Sequence, residues 1–322
     1  MRKILFILTT LALLCATLVF SSMLFAADTV VYVNQSEGSD TNSGTTSGSA
    51  LKTIDAGFKK LSGGGVLVIV GNYDYTANYE APKCTGKVTV TSVYGGKNYE
   101  GVLNFKSEYQ LKMNCDSVFR DIKFAGAKAL VVANFNPILF DEGFTNTNTI
   151  DLFGGHYSPM GSVPVNLDSN ITVNSGNFRL IVGFTRKKGD ASRTYTGTSH
   201  ITINGGIVDD RRGASVDNHY SGSTVITING GTVSSVNTGG DKTRRISDTA
   251  TVNLNGGKVG SVSFNNVLKG GTLNINKTAP SYVNVVYENT TIKELADKAK
   301  CKFTVNYDSL LCSASSFIVV FS

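Results

Sequence analysis

The clearest pattern along the chain is a pair of branched aliphatic residues around one polar residue, running into an Asn-Gly-Gly corner. Ile201-Thr202-Ile203-Asn204-Gly205-Gly206 and Ile226-Thr227-Ile228-Asn229-Gly230-Gly231 are the cleanest copies. Ile171-Thr172-Val173-Asn174-Ser175-Gly176 precedes them and Val252-Asn253-Leu254-Asn255-Gly256-Gly257 follows. Thr149-Ile150-Asp151-Leu152-Phe153-Gly154-Gly155 reads as a first copy, and Gly270-Gly271-Thr272-Leu273-Asn274-Ile275-Asn276 as a last, shifted one. Successive side chains of an extended strand point to opposite faces. Each aliphatic pair therefore enters a core while the residue between faces solvent. Asn-Gly-Gly supplies positive φ at low strain and turns the chain into the next face. The glycine corners of the five regular copies recur every 21 to 30 residues, which is one solenoid coil with connections of variable length. A single coil cannot bury its own apolar row. Coils stacked about 4.8 Å apart bury all rows together and pair their backbones along the axis. The expected fold is all-β, a parallel β-helix, right-handed because parallel crossovers take that hand. The column Asn174, Asn204, Asn229 and Asn255 is expected to bond amide to amide and hold the corners.

Upstream, Val30 to Val33 reads as a strand, followed by the polar loop Gly38-Ser39-Asp40-Thr41-Asn42-Ser43-Gly44. Thr53 to Leu61 predicts a short helix, with Thr53 as its cap and Ile54, Phe58 and Leu61 on one face. Gly63-Gly64-Gly65 ends it, and Val66 to Val70 returns as a strand before Gly71-Asn72-Tyr73. This order resembles the amino-terminal cap of the pectin-lyase-like β-helix superfamily and of secreted bacterial solenoid proteins. The resemblance covers about residues 30 to 125, with Val118 to Phe124 as a further coil strand. It implies a helix that plugs the open end of the solenoid. That superfamily hosts lyases, hydrolases, esterases, phage spikes and adhesins, so the resemblance speaks to fold rather than to activity. At the other end Thr290 to Lys300 predicts a helix, and Cys301 to Asn306 and Phe317 to Phe321 predict strands. The expected organisation is a leader over 1–27, a β-helix over 28–280 with its cap over 28–75, and a small α/β tail or cap over 281–322.

Composition agrees with strands and tight turns. Charged residues make up 17%, Gly numbers 34 and Trp is absent. Arg2 and Lys3, the apolar run from Ile4 to Phe20 and the small pair Ala26-Ala27 read as an export signal. The same run left uncleaved would be a membrane anchor, the one membrane contact expected. The body then lies outside the cytoplasm, secreted or at the cell surface. Cys84, Cys115, Cys301 and Cys312 follow the leader. Four cysteines in an exported chain allow three disulfide connectivities, and Cys84 with Cys115 could sit on neighbouring coils. No Cys/His spacing resembles a zinc site and no nucleic-acid motif is present.

Candidate chemistry gathers on the long connections of the repeat. The first carries Arg186, Lys187, Lys188, Asp190 and Arg193. The second carries Asp209, Asp210, Arg211, Arg212, Asp217, Asn218, His219 and Tyr220. The third carries Asp241, Lys242, Arg244, Arg245 and Asp248. Coils stacked in register would align these on one flank. There the forked guanidinium groups suit uronate carboxylates or sulfates, and Tyr220 offers a sugar-stacking face. The expected ligand residues are Arg186, Lys187, Arg193, Arg211, Arg212, Tyr220, Arg244 and Arg245. The expected partner is an acidic polysaccharide or cell-surface glycan. The lead expectation is non-catalytic, adhesion-like carbohydrate or surface binding. A polysaccharide lyase or hydrolase would instead draw on Asp209, Asp217, Arg211 and Arg212, with calcium entering only on the lyase reading. A structural spacer of a surface protein is the third. The Asp-His and Arg-x-Pro-x-x-Arg motifs of pectate lyases are absent, as is the Asn-Thr-Asp, Gly-His-Gly and Arg-Ile-Lys set of polygalacturonases. No cofactor or metal site is expected outside the lyase reading. Asp40-x-Asn42-x-Gly44 matches only part of a calcium loop.

Overall fold

The computed structural model describes residues 28–156, 166–184, 197–208, 216–217, 222–238, 248–264, 270–275, 283–287, 302–307 and 317–321. For 216–217 and the last three ranges it describes the backbone course. The expected leader over 1–27 and the expected helix over 290–300 lie outside these residues.

The chain is mostly β, with stacked parallel strands and very little helix, an arrangement that fits a parallel β-helix. Sheet A holds eleven strands among the described residues, in chain order from Val30–Val33 to Lys302–Tyr307. Sheet B is short: Asn72–Tyr75, Val102–Phe105, Lys123–Gly126 and Thr145–Asn146. Sheet C runs from Tyr79–Glu80 to Phe317–Phe321. The early coils pass from A to B to C and return to A, so every pairing partner within these three sheets lies one coil away. Later the second corner disappears. Ile207–Val208 and Val216–Asp217 are separate strands, but in the next coil both pair with the single strand Thr232–Asn237. A three-sided coil thereby becomes two-sided.

The core changes with the cross-section. The three-sided coils are filled by Phe105, Phe119, Phe124, Phe140, Phe144 and Phe178, whose neighbouring rings lie 4.7 to 6.3 Å apart. The two-sided coils need less volume. Along sheet A, from the last three-sided coils into the two-sided ones, Ile171, Ile201, Ile226, Val252 and Leu273 stack in register beside Val173, Ile203, Ile228, Leu254 and Ile275. All ten are at most 2% exposed.

Two readings of the repeat need correction. Ile150–Phe153 belongs to sheet C, not to the row of the other copies, and the true sheet A partner of Ile171–Val173 is Ile138–Phe140. An apolar strand that ends at a glycine pair looks the same at either corner, so local pattern could not assign the side. The last copy is not shifted in its core row: Leu273 pairs with Val252 and Ile275 with Leu254. The predicted tail strands are present as Lys302–Tyr307 and Phe317–Phe321. They continue sheets A and C in parallel register.

The helix forms over Ile54–Lys60, with the Thr53 side chain accepting the Ala56 N–H at 3.1 Å. It lies directly on the first two strands of sheet A, since a Cβ on Gly57 would strike Leu67 and Val33. The Asp40 carboxylate is committed to the same junction. It accepts from the Lys52 and Thr53 N–H groups at 2.9 and 2.8 Å and from the Thr53 hydroxyl at 2.8 Å. Burial pushes this carboxyl up, but those hydrogen bonds outweigh it and hold its pKa below the usual value.

Within each Asn-Gly-Gly corner the two glycines do different work. The first sits so close to the previous coil that a Cβ on Gly205 would overlap the Asn174 carbonyl. Only the second adopts a left-handed backbone, with φ of +77° at Gly206, Gly231 and Gly257. Gly206→Ala adds a Cβ where φ is unfavourable and the Gly176 carbonyl already stands. It should cost about 1–3 kcal/mol, read as a lower denaturant midpoint in equilibrium unfolding.

Candidate functional site

The predicted ligand residues Arg186, Lys187, Arg193, Arg211, Arg212, Tyr220, Arg244 and Arg245 lie outside the described residues, as does Asp209. Asp217 lies on the backbone of the sheet C strand Val216–Asp217. What the structure does describe is where their connections begin and end. Val182, Asp217, Asn237 and Ser263 follow one another in register along sheet C. Ser169, Ser199, Thr224, Ala250 and Gly271 do the same where the chain re-enters sheet A. Segments 185–196, 218–221 and 239–247 therefore span the same corner in successive coils. Segment 209–215, with Asp209, Arg211 and Arg212, departs elsewhere, between the sheet C strands Ile207–Val208 and Val216–Asp217.

Sheet C just before this corner is apolar on both faces. Ala129, Val131, Leu152 and Ile181 point into the core, while Leu130, Val132, Phe153, Leu180 and Val182 form a second buried cluster on the opposite face. Continuous apolar runs such as Ala129-Leu130-Val131-Val132 are the mark of a strand covered on both sides. Asp151 sits on that second face with no exposed area. Arg179 holds it with two guanidinium bonds, the Nε contact at 2.6 Å, and Lys128 stands 3.8 Å away. A buried carboxylate survives only with such partners.

The asparagine column forms as expected. Each amide donates to the previous coil: Asn255 to Asn229 at 2.7 Å, Asn229 to Asn204 at 2.7 Å and Asn204 to Asn174 at 2.8 Å. Sequence reading did not anticipate where it starts. Asn174 donates to Asp141 at 2.7 Å, and Arg120 grips the other oxygen of that carboxylate. Burial raises the Asp141 carboxyl, but Arg120, Asn174 and the Glu142 N–H outweigh it and hold its pKa below the ordinary value.

A groove of about 350 Å³, mixed polar and apolar, lies outside the residues expected to carry the site. It opens beside the A-to-B corner, with Glu100, Asp121 and Lys123 lining it beside Val93, Val102 and Ile122. One wall is a hairpin, Val93–Tyr94 paired with Lys97–Asn98 across Gly95-Gly96. Both turn glycines have positive φ, 60° and 76°, which a two-residue hairpin of this twist requires. Tyr94 and Tyr99 pack edge-on against Tyr32 at 6.5 and 5.4 Å, and Lys97 lies 4.8 Å above the Tyr99 ring. Burial, with help from the Tyr99 hydroxyl, pushes the Tyr32 phenol up to about 12. Glu100 and Asp121 line the groove in left-handed backbone conformations, φ 54° and 46°. Gly143 leaves the space that the Asp121 carboxylate fills. The glycine pair between Tyr94 and Lys97 was the sequence signal for the hairpin. Nothing in the spacing of Glu100, Asp121 and Lys123 signalled that they converge. The groove can admit a small polar molecule. Among the described residues no group of three or more His, Cys, Asp or Glu side chains could hold a metal ion.

Of the histidines, His156 packs edge-on against Phe135 at 4.9 Å. His200 is half-buried within the strand Thr198–Ile203.

Two substitutions test this network. Asp151→Ala strands Arg179 on a buried face and should cost about 3 kcal/mol, measured by chemical denaturation. Asp141→Asn tests pH dependence. A carboxyl held low in the folded state contributes stability above its unfolded pKa of about 4, and that contribution is lost as pH falls through the folded value. The melting temperature of the parent chain should therefore fall more steeply between about pH 5 and 3 than that of the variant. Compared with known protein families, curated proteins and solved structures, the chain finds no match.

Proposed function

We propose that the chain is an exported, right-handed parallel β-helix of the pectin-lyase-like type, with the Ile54–Lys60 helix as its amino-terminal cap. On this reading it acts at the cell surface or beyond by non-catalytic contact with acidic carbohydrate. The observation that carries the proposal is the register of the strand ends that bear the connections. Val182, Asp217 and Asn237 stack along sheet C, and Ser199, Thr224 and Ala250 stack along sheet A. Connections rooted on such a line present Arg186, Lys187 and Arg193 from 185–196 and, two coils further on, Arg244 and Arg245 from 239–247. A linear polyanion repeats its charges along one direction, and a row of guanidinium forks meets it group by group. The two-sided apolar packing of sheet C and the Asp151–Arg179 pair supply a rigid base for that row.

The lyase reading requires Asp209, Arg211, Arg212 and Asp217 to converge on one sugar. Segment 209–215, with Asp209, Arg211 and Arg212, is rooted within sheet C, whereas Asp217 ends its strand at the corner. That separation favours binding without catalysis.

The test is binding to polygalacturonate and to a sulfated polysaccharide at low ionic strength. The expected result is retention that weakens steeply with added salt. It should be lost when Arg186, Lys187, Arg193, Arg244 and Arg245 are together replaced by Gln. Absence of binding to every anionic polymer removes the proposal. Release of unsaturated uronate in the presence of calcium, abolished by Arg211→Ala or Arg212→Ala, replaces it with the lyase.

A further inference from the structure

We propose that Cys84 and Cys115 are an oxidation site that closes into a disulfide joining two successive coils. Both stand as free thiols. The backbone brings them together at the C-to-A corner of neighbouring coils. On one side of the pair the Ala81 N–H donates to the Lys112 carbonyl at 2.8 Å, and the Asn114 amide donates to the Ala81 carbonyl at 2.7 Å. On the other side the Val88 N–H donates to the Asp116 carbonyl at 2.8 Å. The two cysteines lie between these bracketing bonds, Cys84 in the longer span 82–87 and Cys115 in the shorter span 113–115. The strands that frame the two spans are one coil spacing apart, about 4.8 Å, on the scale of the roughly 4.4–6.8 Å between Cα atoms that a disulfide bridges. The loop of Cys84 is itself fixed, since the Thr85 N–H donates to the Ser62 carbonyl at 2.7 Å. Cys84 packs on the core cluster that contains Cys115, and the two thiols interact directly.

Their exposures differ, and this sets the order of events. Cys84 is half-buried and Cys115 is buried. The Cys84 thiolate meets the oxidant first. It attacks a low-molecular-weight disulfide, forms a mixed disulfide and expels one small thiolate. The Cys115 thiolate then attacks the Cys84 sulfur, breaks the mixed disulfide and expels the second. Two protein thiols are oxidised, one small disulfide is reduced to two small thiols, and the two protons pass to those thiols. Burial, then the Cys84 neighbour, pushes the Cys115 thiol up to about 12. Closure is therefore slow at neutral pH and faster in mild alkali. Only the chemistry of this pair is required, so the inference stands or falls apart from the carbohydrate proposal.

The test uses the full chain incubated with excess glutathione disulfide at mildly alkaline pH, alkylated without reduction and digested with trypsin. The expected product is peptide Cys84–Lys87 linked to peptide Met113–Arg120, lighter than the two free peptides by two hydrogens. Reduction should abolish it. In a Cys301→Ser, Cys312→Ser background the oxidised chain should melt on the order of 5 °C or more above the reduced one. Cys84→Ser in that background should melt at the same temperature with or without oxidant. Complete alkylation of both thiols, or a glutathione adduct on Cys84 with no link to Cys115, overturns the proposal.

Discussion

Everything in this molecule depends on parallel backbone pairing between one coil and the next. The strands of sheets A, B and C have no partner within their own coil, because they face three or two different directions; within a turn only the hairpin Val93–Tyr94 with Lys97–Asn98 pairs among the described strands. The ladder N–H and C=O groups of the three sheets find their complements in the turn above or below. Register is then inherited along the stack. Once Ile171 sits on Ile138, Ile201, Ile226, Val252 and Leu273 must follow on the same line. A slip by one residue would turn every one of them to solvent.

The asparagine column turns that inherited register into a polar line with a direction. Every amide donates toward the amino-terminal coil, and Asn174, Asn204 and Asn229 each accept from the coil beyond. Such a line cannot begin on another amide without leaving a donor to be placed somewhere. It begins on Asp141, which can only accept. The carboxylate in turn needs a cation, and Arg120 from the preceding coil supplies it. One ion pair therefore sets the start of a ladder that reaches Asn255, more than a hundred residues along the chain.

Legibility in the sequence followed the cross-section. In the two-sided part a coil has a fixed strand length and a fixed corner, so Ile-Thr-Ile-Asn-Gly-Gly repeats visibly and its core, strands and ladder could be read directly. In the three-sided part the corners fall at Ser92, Asp121 and Gly143, three different residue types, and the interior is filled by phenylalanines drawn from more than one sheet. That leaves no period to find, and Ile150–Phe153 was assigned to the wrong side for this reason. The helix at Thr53 was legible because capping and a one-sided apolar face are local properties. The groove at Glu100 and Asp121 was not. Its lining comes from three coils, and the residues share only a place in the stack.

The division also says where connections can grow. Closing a coil requires a sharp turn at each corner, and an insertion is tolerated where both ends are held by neighbouring coils rather than by the turn itself. At the C-to-A corner the entering strands Thr198–Ile203, Ser223–Ile228 and Thr249–Leu254 are, at six residues each, among the longest strands of the described residues. Five or six residues of ladder fix the entering end of each connection. The loop then costs only closure entropy, which grows slowly with length.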